Sequence, residues 1–310
     1  MNKLIFKSSF LVAVILVISI FHVWGNDSKE NKKIITRTVK IDKHFSGLAS
    51  YAALEITYTQ NNEDPIAVIT GPADIVEGMT WKINSNNILS FQYPKKKNNT
   101  GKVTVKLNGG LLTNYEASSS GIIRVATDTK SNQNLNFAVS SLGKIIMQGT
   151  ASAKEAINIA ASSSAEMTFN KAVVGGVANI AASSSALIKL PSLSSAPLNY
   201  SGSSMGILEV NELTSTTANI TLSSGGEFST AACNIGTVNL DASSGGDASF
   251  GNVVAKTLNM SVSSGATVKM KGKCNNANFS AASAGQINAK GMKIERLNTR
   301  KTSSGGSINI

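Results

Sequence analysis

Two carboxylates at matching positions of a repeated segment are the first candidates for chemistry in this 310-residue chain. Glu227 and Asp247 are 20 residues apart, and each follows an asparagine by eight residues. Grouped carboxylates can bind Ca²⁺ or act as acid and base in polysaccharide cleavage. We find no third acid or arginine in their register, and neighbouring Ser229, Ser249 and Gly246 offer no apolar cover that would keep one carboxyl protonated. We therefore interpret the pair as a surface coincidence.

Serine nucleophiles lack a base that would activate them. Serine pairs recur along the chain, but its only histidines, His22 and His44, both precede the repeats. The sequence therefore predicts no catalytic residue, no metal-binding or cofactor-binding residue and no cofactor. We expect that the protein is not an enzyme.

The two cysteines are predicted to be free and buried. Cys233 and Cys274 lie two repeats apart, about 9.6 Å at the spacing of stacked strands, which exceeds the ~7 Å that a disulfide spans. They are assigned to one apolar column, which also holds Leu193, Leu213 and Val253. In this interpretation both thiols serve as small hydrophobic groups.

An asparagine recurs about every 20 residues, and this repeat indicates which structural elements hold these side chains in place. The marker residues are Asn114, Asn136, Asn158, Asn179, Asn199, Asn219, Asn239, Asn259, Asn278 and Asn298. Four and five residues after most of them comes a serine pair, such as Ser223 and Ser224. A period this steady indicates a solenoid.

Apolar residues alternate around each asparagine, which is the period of a strand. Ile220 and Leu240 are therefore expected to point inward, and the asparagines outward. The sequence predicts an all-β fold, a right-handed parallel β-helix with about ten regular coils of roughly 20 residues. Stacked side chains are expected to hydrogen-bond from coil to coil, the serines as well as a structural ladder of Asn179, Asn199, Asn219, Asn239 and Asn259.

The chain divides into three parts on composition. Residues 1–25 have the basic start and apolar run of a signal peptide, with an uncleaved anchor as the alternative, and no cysteine lies near position 25 for a lipid anchor. Residues 26–44 are predicted to form a polar, exposed lead-in. Residues 45–310 form the β-helix domain, with irregular opening coils at 45–110 and regular coils at 111–310; a separate small β-domain at 45–110 is the alternative. We expect no membrane span after signal cleavage.

Charge is unevenly distributed over the repeats. An acidic band that includes Glu209 and Asp241 precedes a basic end, whose candidate polymer-binding residues are Lys269, Lys271, Lys273, Lys290 and Lys293. Such an end could bind an acidic polysaccharide or another envelope or surface component, or it could simply protect a strand edge. Nucleic acid is not expected as a partner, because no aromatic side chains that could stack on nucleobases are interleaved with these lysines. Lys189 and Glu209, on neighbouring coils, are predicted to form a surface ion pair.

The opening "FSGLASYAALEITYTQ", the stretch "GPADIVEGMTWKINSNNILSFQY", "KVTVKL" and the serial "SSGG" copies ending in "SSGGSINI" resemble the family called putative auto-transporter adhesin, head GIN domain. The resemblance covers nearly everything after residue 44. It implies a right-handed β-helix of a secreted protein with an adhesin-like role, and it brings no catalytic motif. This chain departs from the pattern where "SSLG", "SSSA" and "AASAGQ" replace "SSGG".

Three hypotheses about function stay open at this point. The preferred one is a non-catalytic exported protein with an adhesin-like binding or structural role in the periplasm, at the outer membrane or at the cell surface. The second is a polysaccharide-cleaving β-helix enzyme. The third is a periplasmic scaffold that assembles through its coil ends. Small residues after each asparagine favour a broad contact surface over a pocket.

Overall fold

The computed structural model describes residues 33–94 and 101–310. The predicted signal peptide lies outside these residues. The regular secondary structure of the described chain is strand except for one short helix, and its elements in order are β1 (Ile34–Lys40), β2 (Gly47–Ser50), β3 (Glu55–Gln60), β4 (Ile66–Pro72), α1 (Ala73–Val76), β5 (Thr80–Ile83), β6 (Ile88–Gln92), β7 (Thr104–Gly109), β8 (Asn114–Ala117), β9 (Ile122–Val125), β10 (Thr129–Ser131), β11 (Asn134–Val139), β12 (Lys144–Ala153), β13 (Ala156–Ala161), β14 (Glu166–Val174), β15 (Val177–Ala182), β16 (Leu187–Gly202), β17 (Ile207–Leu222), β18 (Glu227–Ala242), β19 (Asp247–Val262), β20 (Thr267–Ala281), β21 (Gln286–Thr302) and β22 (Ser307–Asn309).

Each regular coil has three faces. Between β17 and β18 the parallel pairing skips Asn211 opposite Ala231 and Thr216 opposite Gly236, so the chain turns a corner at both places. In β17 the first face is 207–210, the second face is 212–215, and the asparagine face is 217–222. Successive coils repeat this arrangement in register. The prediction of an all-β solenoid with about ten regular coils is confirmed, and its right-handedness stays a prediction.

The core is a continuous column of stacked side chains inside the three faces. Ile220 and Leu240 are Cα partners on adjacent coils and both are buried, which confirms the assigned facing. Aromatic rings stack inside as well, since the Tyr115 and Phe137 ring centroids are 5.2 Å apart and nearly parallel. Alternation along each strand therefore places the apolar set inside and the polar set outside.

The opening residues belong to the same sheet and the same core, but they stack out of sequence order. β2 pairs in parallel with both β6 and β8, and β3 pairs in parallel with both β7 and β9. The coil formed by 47–60 therefore lies between the coil that contains β6 and β7 and the one that begins at residue 114. Antiparallel pairs of β4 with β1 and β7, and of β5 with β6, complete this end of the stack.

The polar lead-in predicted for 26–44 instead contains β1. This strand pairs with β4 along its whole length, from Ile34 opposite Pro72 to Lys40 opposite Ile66. Ile35 and Val39 pack against the core from one side of the strand. The lysines around the segment concealed this alternation, because one partly buried face is enough to hold an edge strand.

The serine pairs serve the backbone at a sharp turn and do not form the expected hydroxyl ladder. Ser224 has φ 48° and Gly225 has φ 73°, and the Gly226 amide donates to the Ser223 carbonyl at 2.8 Å, which closes a turn of two left-handed residues. The Gly225 amide also donates to the Ser244 carbonyl of the next coil. Across the described residues, the hydroxyls of the serine pairs make no hydrogen bond. Small polar residues are used because they tolerate positive φ better than branched ones.

Candidate functional site: the asparagine face and the basic end

Nine asparagines form a hydrogen-bonded ladder on the outside of the solenoid. Each side-chain amide from Asn136 onward donates Nδ2–H to Oδ1 of the asparagine on the preceding coil, at 2.8 to 2.9 Å, through Asn278. Asn298, the last marker in the sequence, lies outside it. A one-residue shift after Leu297 places Thr299 opposite Asn278, so Asn298 is the inserted residue.

The ladder leaves hydrogen-bonding capacity free on its outer side. An amide has two N–H donors and a carbonyl oxygen with two lone pairs, and the ladder uses one donor and one lone pair of each inner asparagine. One free donor and one free acceptor therefore repeat at each coil, about every 4.8 Å. The face thus presents a regular row of amide groups to solvent.

A groove runs beside this ladder along most of the stack. Its first section has a volume of about 600 Å³ between the asparagines 114–219 and the residues two positions after them, which include Glu116, Ala138, Ala160 and Ala181. A second section of about 490 Å³ continues from Asn219 to Lys301. We call these two sections the ladder groove. Its surface is set by small side chains, as expected from the repeat.

A second groove lies on the other side of the same alanines. This serine groove has a volume of about 360 Å³ and reaches from Ala138, Ala160 and Ala181 to the first serine of each pair, such as Ser140. Tyr51 and Glu116 line its end, and the Tyr51 hydroxyl donates to Glu116 Oε2 at 3.2 Å. Sequence reasoning missed Tyr51, because it lies in an opening segment that shows no 20-residue register.

The basic end is a collar of cations around the last coils. Residues 256–310 carry nine Lys and Arg against one acid, Glu295, a net charge of +8, whereas residues 45–255 carry twelve against fourteen, a net charge of −2. We call these nine side chains the basic collar, and all of them are exposed: Lys256, Lys269, Lys271, Lys273, Lys290, Lys293, Arg296, Arg300 and Lys301.

The predicted polymer-binding lysines occupy two faces and the corner between them. Lys269 is on the first face, and Lys273 and Lys293 are Cα partners on the second face. Lys271 and Lys290 lie at the corner, where the register shifts. Among the described residues, no ion pair neutralises any member of the basic collar.

The carboxylate pair is present in the predicted register, but it is open to solvent. Glu227 and Asp247 are Cα partners on adjacent strands and both are exposed. Their column also contains a third acid, Glu166, which sequence reasoning missed. Glu166 lies three coils away from Glu227, and its Oε2 is 2.7 Å from Lys144 Nζ. Within 33–94 and 101–310, no group of three His, Cys, Asp or Glu could hold a metal ion.

The ion pair between Lys189 and Glu209 is confirmed, with Nζ and Oε2 3.6 Å apart. Both side chains are nearly half exposed, so solvent screens the interaction and its contribution to stability is a fraction of about 1 kcal/mol. This pair links two coils on the first face and has no catalytic geometry.

Both cysteines are free and buried, as expected, but they occupy different columns. Cys233 stacks between Leu213 and Val253, whereas Cys274 stacks on Ala255. The prediction of a shared column was wrong because the pairing of β20 with β19 shifts by one residue between Phe250 and Val253 of β19. Burial raises the pKa of the Cys233 thiol to about 12 and also raises the pKa of Cys274, so neither forms a thiolate near neutral pH.

Fold and surface together define this class of protein: a β-solenoid with a ladder of amides on one face and a basic collar at one end. The chain belongs to the family described as "Putative auto-transporter adhesin, head GIN domain", whose model matches residues 44–232 and 236–310. No helix in the described part of the chain has the length and apolar character to cross a membrane.

Two solved structures share the fold. A putative adhesin from Parabacteroides distasonis ATCC 8503 is 13% identical with a TM-score of 0.53, and the match covers 88% of this chain and 97% of that one. A putative adhesin from Parabacteroides merdae ATCC 43184 is 17% identical with a TM-score of 0.53, covering 90% and 96%. At these identities the likeness shows the fold alone. No curated protein matches the chain.

Proposed function

We propose that this chain is a non-catalytic, exported adhesin-like protein whose basic collar binds an acidic polysaccharide or another acidic polymer of the cell envelope or surface. The observation that carries the proposal is the charge of the last coils, which contain nine exposed cations and a single acid. A dense group of one sign attracts polyanions and speeds their association.

Three further features support a binding role over catalysis. The carboxylate pair is exposed and lacks apolar cover, both thiols are buried, and His44 is the only histidine among the described residues. Membership of an adhesin family supports a surface or exported location, and it agrees with the signal peptide predicted for residues 1–25. The binding surface is broad, because the collar extends over all three faces of the last coils.

Binding of polygalacturonate to the purified full chain tests this function. We expect salt-sensitive binding that weakens at least about tenfold when Lys269, Lys271 and Lys273 are changed to Gln, since each lysine near an anionic surface contributes roughly 1 kcal/mol. The matched control changes Lys106, Lys130 and Lys154 to Gln; these lysines are exposed but distant from the collar, and affinity should stay within about twofold.

The same incubations test for catalysis. New reducing ends or unsaturated products that disappear in Glu227→Gln would establish the polysaccharide-cleaving alternative. Equal losses of affinity in the collar variant and its control would remove the basic collar as the binding site. Binding without turnover, lost only in the collar variant, supports the proposal.

A further inference from the structure

The row of exposed alanines between the two grooves lies at the opposite end of the regular coils from the basic collar. Ala138, Ala160 and Ala181 are exposed and lie on adjacent coils, with Ala138 opposite Ala160 and Ala160 opposite Ala181. The first section of the ladder groove, about 600 Å³, and the serine groove, about 360 Å³, are both lined by these alanines, which form their floor. Together they form one shallow site with two polar sides.

The two sides of this site differ in their chemistry. On one side the asparagine amides offer a free N–H and a free carbonyl lone pair at each coil. On the other side the first serine of each pair offers a hydroxyl that makes no hydrogen bond within the described chain. Both sides repeat at the coil spacing of about 4.8 Å. A ligand along the solenoid axis would meet the same polar groups at each step.

An aromatic ring and a carboxylate close the site at the end toward the opening coils. Tyr51 is 39% exposed, and its hydroxyl is held by Glu116. Burial, followed by the charge of Glu116 and the hydrogen bond to it, raises the pKa of Tyr51, so the hydroxyl keeps its proton as a donor. Glu116 is the only acid that lines either groove from Asn114 to Thr221. The site therefore repels anions and offers no cation to hold them.

We propose that this site binds an uncharged linear chain of pyranose sugars, laid over Ala138, Ala160 and Ala181 with one end against Tyr51. Sugar hydroxyls both donate and accept hydrogen bonds, which matches the free groups of the amides and serines. The C–H faces of the rings contact the alanine methyls and the exposed tyrosine ring. An N-acetylated sugar would add an amide for the ladder and a methyl for the floor.

Titration of the purified full chain with cellohexaose, maltohexaose and the hexamer of N-acetylglucosamine tests the site, with hexagalacturonate as the charged comparison. We expect at least one neutral hexamer to bind with an affinity that changes less than about twofold between roughly 50 and 500 mM NaCl. The three neutral probes separate plain hexose chains from N-acetylated ones.

Ala160→Arg should weaken that binding by at least about tenfold, because the side chain fills the floor without disturbing the core. Ala231→Arg is the matched control, since Ala231 is an exposed alanine at a corner outside both grooves. Tyr51→Ala should lose affinity, and Tyr51→Phe should keep most of it because the ring remains.

Binding of none of the neutral hexamers by the folded chain would overturn the proposal, as would equal losses in Ala160→Arg and Ala231→Arg. Salt-sensitive binding of hexagalacturonate that depends on Ala160 would assign the site to acidic chains and likewise overturn it. The collar variant with Gln at 269, 271 and 273 should bind the neutral hexamer normally. Failure here and failure of the collar proposal are therefore distinguishable.

Discussion

At the scale of single residues, a side chain's position in the two-residue alternation decides how much it contributes to stability. Neighbours in sequence such as Asn239 and Leu240 lie on opposite sides of the same strand. Leu240 is buried in the stacked core, whereas Asn239 is exposed and bonded to Asn219 and Asn259. Substitutions at these two positions should therefore differ in cost although they are adjacent.

We expect Leu240→Asp to destabilise the protein by more than about 3 kcal/mol, because an unpaired charge would enter the core. Asn239→Ala should cost about 1 kcal/mol, since the amide groups it releases are accessible to water. Ser261→Ala, in the outward column beside the ladder, is the control and should change stability by less than about 0.5 kcal/mol. Denaturant melts of the three variants measure this, and equal shifts for Leu240→Asp and Asn239→Ala would contradict the assigned facing.

At the scale of elements, the turn between the asparagine face and the first face uses its two glycines for different reasons. Gly225 has φ 73°, but an added Cβ would meet only Met205, whose Cγ lies at 3.5 Å and whose backbone nitrogen lies at 4.0 Å, both ordinary contacts. Gly226 has no positive φ, yet an added Cβ would lie 2.2 Å from the Gly202 carbonyl oxygen of the preceding coil. One glycine serves backbone conformation and the other serves the close approach of two coils.

Gly225→Ala should therefore cost only about 1 kcal/mol, the strain of a left-handed alanine. Met205 and Leu142 occupy this turn position in other coils with positive φ, which shows that a side chain fits there. Gly226→Ala should cost at least about 2 to 3 kcal/mol, because two backbones must separate. Thermal melts compare the two variants, and a smaller loss for Gly226→Ala than for Gly225→Ala would refute this account.

At the scale of the whole molecule, one partly exposed ion cluster joins three coils that stack out of sequence order. The Glu55 carboxylate, only 16% exposed, binds Arg124 Nε and Lys102 Nζ, each at 2.8 Å. Glu55 opens β3 in the inserted coil, Lys102 lies two residues before β7 on one side, and Arg124 lies in β9 on the other. Within the described residues, the cluster lies where the stacking order of the coils departs from their order in sequence.

The hydrogen bond from Arg124, with a second from Lys102, holds the pKa of Glu55 below its ordinary value. A lowered folded-state pKa stabilises the protein above the unfolded pKa of about 4.3, and this contribution is lost as the pH falls through the folded pKa. The difference in unfolding free energy between the wild type and Glu55→Gln should therefore shrink between roughly pH 6 and pH 3.

Urea melts over this pH range measure the effect. Glu212→Gln is the matched control, because Glu212 is exposed and has no ion-pair partner among the described residues. Its difference from the wild type should stay small and nearly constant. A pH dependence in Glu55→Gln that equals that of the wild type would show that the cluster does not contribute.

The repeat, the facing of each strand and the outward asparagine column could all be predicted from the amino-acid sequence. These features follow from local periodicity, because alternation places every second side chain inside and a constant repeat length stacks like on like. The turn positions could also be predicted, but the role of the serines could not. A recurring serine pair is equally consistent with a left-handed turn and with a hydroxyl ladder, so the sequence does not distinguish the two. The basic end was visible as a count of charges along the chain.

The positions of the register shifts and the contacts between coils became visible only in the folded chain. One shift between β19 and β20 moved Cys274 to another column, and a second shift between β20 and β21 left Asn298 outside the ladder. A repeat length does not say where within a coil such a shift occurs. The insertion of 47–60 between the coil that contains β6 and β7 and the coil that begins at residue 114 depends on strand pairing between distant segments. That same pairing brings Tyr51 to the alanine floor, because contacts across the stack are set by neighbouring coils and not by neighbouring residues.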